Sequence, residues 1–507
     1  MNYKWKLNEL YKTKDEFYNE YYLIQKEISS SIPGYNFNYS NILKRIKKML
    51  LYCNLVYLID ERETDLYNNK YELSIIYEEI YYNYNSALVE VDDLEKNDDI
   101  YNKVKEEYYK EYIKLTDVTK ICHKNIRIKS ITEYNYLLRF EPEQEKRKNL
   151  YLLLYQECIK ENYLNIVSLA QEVLKYKNNI YISSYNDINI EKFKYNLIDA
   201  LLESDCLKIL TRIKRKILDI EKIYIYDLSY DSFNIKTHIT YDEGMRIIGD
   251  SLLQMGRWYN KIYRRINDES WIDVYPGENK IHTSLCIADK ETHPYILVNF
   301  MGRLDDLFVL THEIGHAIHF YHSNDEEIQE PFFKEVPALL NEYLLYDYFM
   351  EKYIEDYTLW KYKKIERLLL DIVKELMVIE FKNKINDQID LNCEVSNQMC
   401  NLWKLINYKY FGEFVHYDEI SKFDWAKINI VEEDMNMPYL AGNFIAYYLS
   451  QNINKVNLEV VYKNLNNNTV EETFNIIDFN PISYNNYVNI FSDIKYDLLD
   501  IENKLNL

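Results

Sequence analysis

Four of the nine histidines lie within residues 311–322, in the run Thr-His-Glu-Ile-Gly-His-Ala-Ile-His-Phe-Tyr-His. At about 100° per residue on a helix, His312 and His316 point in nearly the same direction, so both imidazoles can bind one tetrahedral Zn²⁺. Glu313 lies about 100° further round that helix and can reach a water molecule on the ion. The spacing H-E-x-x-H is therefore typical of metal-assisted hydrolysis.

The alternative is a chance match on a helix with surface histidines, because the short pattern occurs in many long proteins. Three features oppose it: an apolar lead-in over 307–310, the small Gly315 between the two histidines, and an apolar opposite face. That face consists of Ile314, Ala317, Ile318 and Tyr321. The sequence therefore predicts a helix with one imidazole face and one core face.

A catalytic zinc needs a third protein ligand and an open fourth position. The acidic candidates downstream are Asp325, Glu326, Glu327, Glu330, Glu335 and Glu342. A glutamate is favoured because no histidine follows at the spacing of the H-E-x-x-H-x-x-G-x-x-H class. Glu335 and Glu342, seven residues apart, share one face of a predicted helix over 333–346. We predict that Glu335 binds the metal and that Glu342 lies behind the ligands and orients them.

The elements that must position these residues are mainly helices. Only 17 of the 507 residues are Gly or Pro, which argues against a chain of many short strands. Strands are predicted over 223–226, 271–275 and 294–300, and eight of the nine glycines lie beyond residue 225. We expect a mainly α fold with one small β-sheet beside the active-site helix, divided into a helical N-terminal region (1–225) and a zinc-binding region (226–507).

Charge and cysteine content restrict the partners and the compartment. With 61 basic and 82 acidic residues the net charge is −21, which disfavours nucleic acid and anionic membranes. Such a charge attracts cationic peptides, although an acidic surface more often serves solubility. The seven cysteines are scattered and form no C-x-x-C pair, which fits a reducing compartment. No signal-peptide core and no membrane-length apolar run occur, so a soluble cytoplasmic protein is predicted. The sequence does not indicate an oligomeric state.

Four segments, in chain order, resemble one family of enzymes. These are the runs over 293–300, 302–306, 312–319 and 334–342. They are similar to the strand, turn, active-site helix and third-ligand helix of the oligoendopeptidase F branch of the thimet-oligopeptidase family of zinc metallopeptidases. The resemblance is specific over about 225–350 and weaker on either side.

The resemblance implies a multi-helical fold with a deep central channel, of which the N-terminal region forms one wall. It implies one Zn²⁺ per chain, held by His312, His316 and Glu335, with Glu313 as general base acting on short peptides. It also implies that the strand over 294–300 lies beside the peptide backbone by edge pairing. Residues implied to contact substrate are Tyr295, Val298 and Asn299, and Asp306 is implied to lie behind the ligands.

One segment departs from the family pattern. The family usually has a histidine and several tyrosines here, which donate hydrogen bonds to the tetrahedral oxyanion. Over 425–442 no histidine occurs: Asn429 or Ile430 stands in its place, and Met435 and Met437 replace tyrosines. Tyr439 is the tyrosine that remains, and we assign it as the candidate oxyanion donor.

Two hypotheses follow. The first is a zinc-dependent metallo-endopeptidase of short peptides, with basic peptides as the expected class. It would be specialised for a dedicated peptide because oxyanion donors are missing. The alternative is a catalytically weak or inactive peptide-binding protein on a peptidase scaffold. The intact Glu313 favours hydrolysis, because a binding protein has no need of a general base.

Overall fold

The structure is a computed structural model of the 507-residue chain. It describes residues 3–30, 39–86, 95–123, 126–128, 130–175, 187–231, 238–288, 292–323, 331–431, 436–465 and 468–505. Helices make up 75% of the chain, and three short strands form the larger of its sheets, which confirms the mainly α class with a small sheet.

The chain divides into two compact units, each assembled from separate stretches of sequence. The first unit comprises Met1–Leu94, His238–Gly244 and Arg257–Glu326, and the second comprises the remainder. The sequence analysis instead divided the chain into two continuous regions, 1–225 and 226–507. That functional division stays a prediction.

The first unit contains five helices and three strands among the residues that the structure describes. They are α1 (Lys14–Ser30), α2 (Tyr39–Ile59), α3 (Thr64–Ser86), α12 (Arg257–Asp268), α13 (Leu304–Ser323), β3 (Ile272–Asp273), β4 (Leu285–Ile287) and β5 (Tyr295–Leu297). The Trp5 indole donates to the backbone carbonyls of Trp271 (3.0 Å) and Ile296 (2.9 Å), so the N-terminal segment is tied to the sheet.

The second unit is helical apart from a two-stranded ribbon, β1 (Cys122–His123) and β2 (Ile126–Arg127). Its helices before residue 230 are α4 (Glu95–Thr116), α5 (Ile131–Phe140), α6 (Gln144–Leu154), α7 (Lys160–Lys175), α8 (Ile188–Glu203), α9 (Cys206–Ile217) and α10 (Ile225–Leu228). Those after residue 330 are α14 (Val336–Lys352), α15 (Tyr357–Gln388), α16 (Val395–Phe411), α17 (Asn436–Gln451), α18 (Leu458–Asn464), α19 (Val470–Ile476) and α20 (Tyr484–Lys504). Helix α11 (Tyr241–Ser251) runs from one unit into the other.

The strand order of the larger sheet is β3-β5-β4. Strand β5 pairs in parallel with β3 on one side and antiparallel with β4 on the other. The expectation that the 294–300 strand offers an edge to a peptide is therefore wrong over Tyr295–Leu297, because both sides of this strand are already paired. Strand β4, which the sequence analysis did not identify, is the edge on the other side of β5.

The strand predicted over 223–226 is also wrong. Residues Ile225–Leu228 form the short helix α10, and Tyr224 makes only an isolated bridge to His416. The cause is Asp227, whose carboxylate accepts the Tyr224 amide at 2.8 Å and thereby closes a helical turn. Asp227 is itself fully buried against the Arg147 guanidinium.

No helix among the described residues is long and apolar enough to cross a membrane.

Candidate active site

Helix α13 begins at Leu304, and Asp306 determines how it starts. The Asp306 carboxylate accepts the backbone amides of Met301 (2.8 Å) and Arg303 (2.9 Å), which satisfies two donors at the helix N-terminus. Burial raises the pKa of Asp306, while these two hydrogen bonds act in the opposite direction. Gly302 precedes the helix with φ +85°, and a Cβ atom there would lie 2.6 Å from the His238 ring. Asp306 thus holds the start of the helix, six residues before His312.

His312 and His316 lie one turn apart on α13, and their Nε2 atoms approach to 3.1 Å. Two nitrogens bound to a tetrahedral zinc at 2.0–2.1 Å are about 3.3 Å apart. The pair therefore has nearly the spacing that one shared metal ion requires. The Phe320 ring stacks beside the His316 imidazole, with centroids 6.0 Å apart, and limits its rotation.

Glu313 follows His312 on the same helix and is 7% exposed. The Cys286 thiol, on strand β4, is close enough to interact with its carboxylate. Burial, and to a smaller extent the Glu313 charge, raise the pKa of Cys286 well above its usual value, so the thiol stays protonated at neutral pH. Sequence reasoning missed this neighbour, because one scattered cysteine gives no signal before the sheet is known.

The opposite face of α13 is core, as predicted. Ile314, Ala317 and Ile318 have no exposed surface, and neither does His319. Burial first, and then His316 and His322, lower the pKa of His319 to about 3, so its ring is neutral at physiological pH. His319 is therefore a buried neutral residue and not part of an open imidazole face.

The three residues on β5 and just after it that were expected to contact substrate are buried or hydrogen-bonded within the protein. Tyr295 and Val298 are 1% and 2% exposed. The Asn299 amide donates to the backbone carbonyls of Ile281 and Thr283, both at 3.0 Å, and so holds the chain that leads into β4. Their direct contact with a substrate stays a prediction.

In the second unit, Glu335 is the residue before α14 and is 2% exposed. Gly442 of α17 packs directly behind it: a Cβ atom at Gly442 would lie 2.7 Å from the Glu335 Cβ and 2.8 Å from the Leu339 Cδ1. Only a residue without a side chain allows α17 to approach Glu335 this closely. The glycine of the Leu-Ala-Gly sequence therefore positions the backbone of the predicted third ligand.

Glu342 lies two turns further along α14 and is 4% exposed. Its carboxylate pairs with the Arg367 guanidinium at 2.9 Å, and Arg367 also contacts Asp371 at 3.2 Å. Through this network Glu342 fixes α14 against α15.

Tyr439 lies in the first turn of α17, one turn before Gly442, and its side chain is 37% exposed. Its backbone carbonyl accepts the Asn443 amide at 3.0 Å, and the Asn443 side-chain oxygen accepts the Tyr343 hydroxyl at 3.2 Å. Asn443 thus links α17 to α14 and is occupied by a structural role. Tyr439 shares the face of α17 that leads to Gly442 and Glu335.

The segment where the resembled family has its histidine is buried in this chain. Asn429 and Ile430 are 6% and 0% exposed. The Asn429 side chain accepts the Val431 amide at 3.2 Å. From α4, the Tyr108 and Tyr112 hydroxyls donate to the backbone carbonyls of Ile428 and Lys427, respectively. Neither candidate position presents a donor at the surface.

Some predicted residues lie outside the part of the chain that the structure describes. They are Asp325, Glu326, Glu327, Glu330 and Met435. Among the described residues, His312, His316 and Glu335 are the imidazole and carboxylate side chains that could hold a metal ion together. Two imidazoles and a carboxylate match the donor preference of zinc.

Comparison with known proteins gives a family match over more than half of the chain. The model of peptidase family M3 matches residues 137–431. The chain is 24% identical over 323 residues to oligopeptidase PepF of Bacillus subtilis. The aligned region covers 59% of this chain and 48% of that protein. It is 25% identical over 375 residues to an oligoendopeptidase F homolog of Borreliella burgdorferi, in an alignment that covers 69% of this chain and 61% of that protein. The chain therefore spans about half of the length of the curated relatives that it matches.

Solved structures agree on the fold. PZ peptidase A, solved with an inhibitor, superposes with a TM-score of 0.72 at 15% identity, covering 98% of this chain and 97% of that one. Oligoendopeptidase F from Enterococcus faecium gives a TM-score of 0.64 at 16% identity, covering 97% and 99%. At these identities the likeness concerns the fold alone.

Proposed function

The chain belongs to peptidase family M3, in its oligoendopeptidase F branch, and on that premise we propose that it is a zinc-dependent endopeptidase of short peptides. The observation that carries the proposal is the pair of Nε2 atoms of His312 and His316, 3.1 Å apart on a helix that also presents Glu313. A surface helix with chance histidines gives no reason for two imidazole nitrogens to converge on one point.

We propose His312, His316 and Glu335 as the three protein ligands of one Zn²⁺ per chain. When bound, zinc supplies a Lewis acid that polarises the scissile carbonyl and lowers the pKa of its water to about 7. The imidazoles bind metal only when they are neutral, so activity should fall at mildly acidic pH. Gly442 supports the set from behind by fixing the backbone of Glu335.

Glu313 is the proposed general base. Its carboxylate takes the proton of the attacking water and then gives it to the nitrogen of the leaving amine. The half-buried, protonated Cys286 next to it keeps a second negative charge away from the carboxylate. The edge strand β4, in place of the paired strand β5, is the proposed partner of the peptide backbone.

Tyr439 is the proposed donor to the oxyanion, because it remains partly exposed in the first turn of α17. With the other donors of the family pattern replaced, ordinary peptides would be cleaved slowly. We therefore propose specialisation for a dedicated peptide that completes the site with its own groups.

The second candidate is a peptide-binding protein that turns substrate over weakly or not at all. The observation that favours it concerns the two candidate positions for the missing histidine: Ile430 has no side-chain donor, and the Asn429 side chain is turned onto the Val431 amide. The two candidates make the same prediction for zinc and opposite predictions for cleavage.

A preference for basic peptides follows from the net charge of −21. It should weaken as ionic strength rises from about 50 to 500 mM, where screening shortens to a few ångströms. A preference that is the same at both salt concentrations would contradict this part of the proposal. We also propose a cytoplasmic location, which the seven free cysteines support.

The decisive experiment compares the wild type with Glu313→Gln. Both proteins are analysed for zinc and incubated with a mixed peptide library, and the products are read by mass spectrometry. We expect about one zinc per chain in both and products from the wild type alone. Equal cleavage by both proteins would exclude Glu313 as the base, and intact peptides retained by both would favour the binding protein.

A further inference from the structure

A cavity of about 660 Å³ lies wholly within the second unit. One face of α15 forms its floor, and α5, α10, α14 and α16 contribute to its walls. Apolar side chains that line it include Leu138, Leu228, Tyr346, Leu370, Met377 and Trp403. None of the residues assigned above to metal binding or proton transfer lines this cavity.

The register of α14 against α15 places the cavity relative to the proposed metal ligand. The two helices run antiparallel, with Glu342 paired to Arg367 at 2.9 Å and Asp347 paired to Lys364 at 2.6 Å. Glu335 lies seven residues before Glu342. Because the helices are antiparallel, the residue of α15 at the same level lies seven residues after Arg367, which is Lys374. Lys374 lines the cavity. The proposed metal ligand is therefore level with Lys374, about one turn from the end of the cavity lining at Val378.

A second contact places the start of α17 at the same level. The Asn436 amide donates to the Glu375 carboxylate at 2.6 Å, and Glu375 is the neighbour of Lys374 on α15. Asn436 is one turn before Tyr439. The proposed ligand, the proposed oxyanion donor and this part of the cavity lining thus lie around the same turn of α15.

The length of the cavity suits an extended peptide. Along α15 the lining residues run from Val378 back to Lys363, and the part on one side of Glu335 runs from Lys374 back to Lys363. Eleven residues of helix span about 16 Å, which corresponds to about five residues of extended chain. A peptide with its scissile bond near Glu335 could therefore lay about five residues along the cavity on one side of that bond.

The charged side chains that line the cavity form ion pairs, some with one another and some with residues outside the lining, such as Glu366 with Lys214 and Lys374 with Glu375. Lys363 contacts Asp231 at 2.7 Å, Lys427 contacts Asp424 at 2.5 Å, and Arg367 lies between Glu342 and Asp371. A charged substrate group would have to compete with these pairs and lose its own hydration. Between these charged groups the floor presents the apolar side chains of Leu370, Val373, Met377 and Val378, and Leu370 is half-buried.

We propose that this cavity is a subsite that binds the part of the peptide distant from the scissile bond, and that it selects an apolar side chain there. The proposal rests on the peptidase function proposed above, and it names the feature by which a dedicated peptide would be recognised. Burial of one leucine-sized side chain contributes about 1.5–3 kcal/mol, which corresponds to roughly 10- to 150-fold in affinity.

The test uses binding, so that it does not depend on turnover. The probes are fluorescein-labelled ten-residue Gly/Ser peptides that carry a single Leu, Asp or Lys at successive positions. Their affinity for full-length Glu313→Gln protein is measured by fluorescence anisotropy. We expect one position at which Leu binds at least tenfold more tightly than Asp or Lys, and we expect five-residue versions to show less than a twofold difference.

Two variants fill the cavity from opposite walls: Leu370→Trp on α15 and Asn135→Trp, at an exposed position on α5. Each should reduce the preference for Leu to less than twofold, provided that its thermal unfolding matches that of the parent. Leu405→Trp, 68% exposed on α16 and outside the cavity, is the control and should retain the full preference.

Failure of this inference is distinguishable from failure of the proposed function. If the wild type cleaves library peptides but the preference for Leu is absent, or survives in both filled variants, the subsite is wrong and the peptidase stands. If the wild type cleaves nothing while both filled variants lose the preference, the subsite stands and the peptidase is wrong.

Discussion

Helix α13 and the segment 427–442 contribute to the proposed reaction in opposite ways. Helix α13 carries two converging imidazoles and a carboxylate within five residues. The segment 427–442 contains no histidine, and Asn429 turns its side chain back onto the amide of Val431. The first region holds the groups proposed to activate water, while the second holds only Tyr439 as a proposed donor to the oxyanion.

Water activation and oxyanion stabilisation, the two parts of the proposed reaction, therefore depend on different structural features. The spacing of His312, Glu313 and His316 depends on one helical turn, so local sequence suffices to preserve it. Oxyanion donors on a distant segment are positioned by tertiary packing and can change without disturbing that turn. The predictions below measure how far the two regions depend on each other.

The largest effect is expected from His316→Ala. Removing one imidazole of the 3.1 Å pair should lower the zinc content from about one per chain to near zero and activity by about 10³-fold or more. Zinc is measured by atomic absorption and activity with a cleaved library peptide. His416→Ala, at an exposed position in the second unit, is the control. Full zinc content in His316→Ala would contradict the proposal that α13 carries the zinc ligands.

Tyr439→Phe tests whether the second region still contributes a donor. Loss of one hydroxyl from the oxyanion site should lower kcat by about 10²-fold with zinc content and KM unchanged. The matched control is Tyr448→Phe on the same helix, whose hydroxyl donates to the Asp478 carbonyl at 2.7 Å. If both variants have the kcat of the wild type, α17 supplies no donor through Tyr439.

Gly442→Ala tests how α17 acts on the metal ligand. The new methyl group would lie 2.7 Å from the Glu335 Cβ, so the two helices must separate. We expect zinc affinity to fall by about tenfold and the unfolding free energy by about 1–3 kcal/mol. Gly244→Ala is the control, because its nearest contact is the flexible Leu307 side chain at 3.1 Å. Unchanged zinc affinity in Gly442→Ala would show that α17 does not position Glu335.

The smallest expected effect is a loss of folding stability in acid that depends on His319. The folded protein lowers the pKa of His319 to about 3, mainly by burial, whereas the unfolded chain binds this proton near pH 6.5. The contribution of neutral His319 to stability is therefore complete above about pH 6.5 and is lost as pH falls toward 3. The slope is at most about 1.4 kcal/mol per pH unit.

Thermal unfolding of EDTA-treated protein between pH 7.5 and 5 measures this slope. His319→Leu should show a shallower loss of the unfolding midpoint than the wild type, and His416→Leu should show the same loss as the wild type. An identical slope in His319→Leu would mean that this buried ring does not couple stability to pH.

The sequence could predict α13 and the approach of His312 to His316 because both depend on local spacing. The 3.6-residue period and the apolar lead-in over 307–310 indicate the helix, its two faces and the direction of His312 and His316. Glu335 and Glu342 could be placed on one helix face by the same reasoning. The structure adds the partner that defines the position of each: Gly442 for Glu335 and Arg367 for Glu342.

Other features could not be predicted because they depend on contacts between distant parts of the chain. The family resemblance implied an edge strand over 294–300, but the three residues of β4 pair with the side of β5 that was expected to be free. The β-branched and aromatic run over 223–226 looks like a strand, but the Asp227 carboxylate caps a helical turn there. The cavity over α15 has no local signature, since its lining comes from helices far apart in the chain.

The division of the first unit into three stretches has a consequence for synthesis on the ribosome. The indole of Trp5 bonds to the carbonyl of Ile296, 291 residues later. At about 5–20 residues per second, the earliest helices wait roughly 15–60 s for that partner. Until then α1, α2 and α3 have only one another for burying Phe17, Ile46 and Leu73, which are fully buried in the finished fold. Nascent chains of about 100–290 residues should therefore be the ones that engage chaperones most strongly.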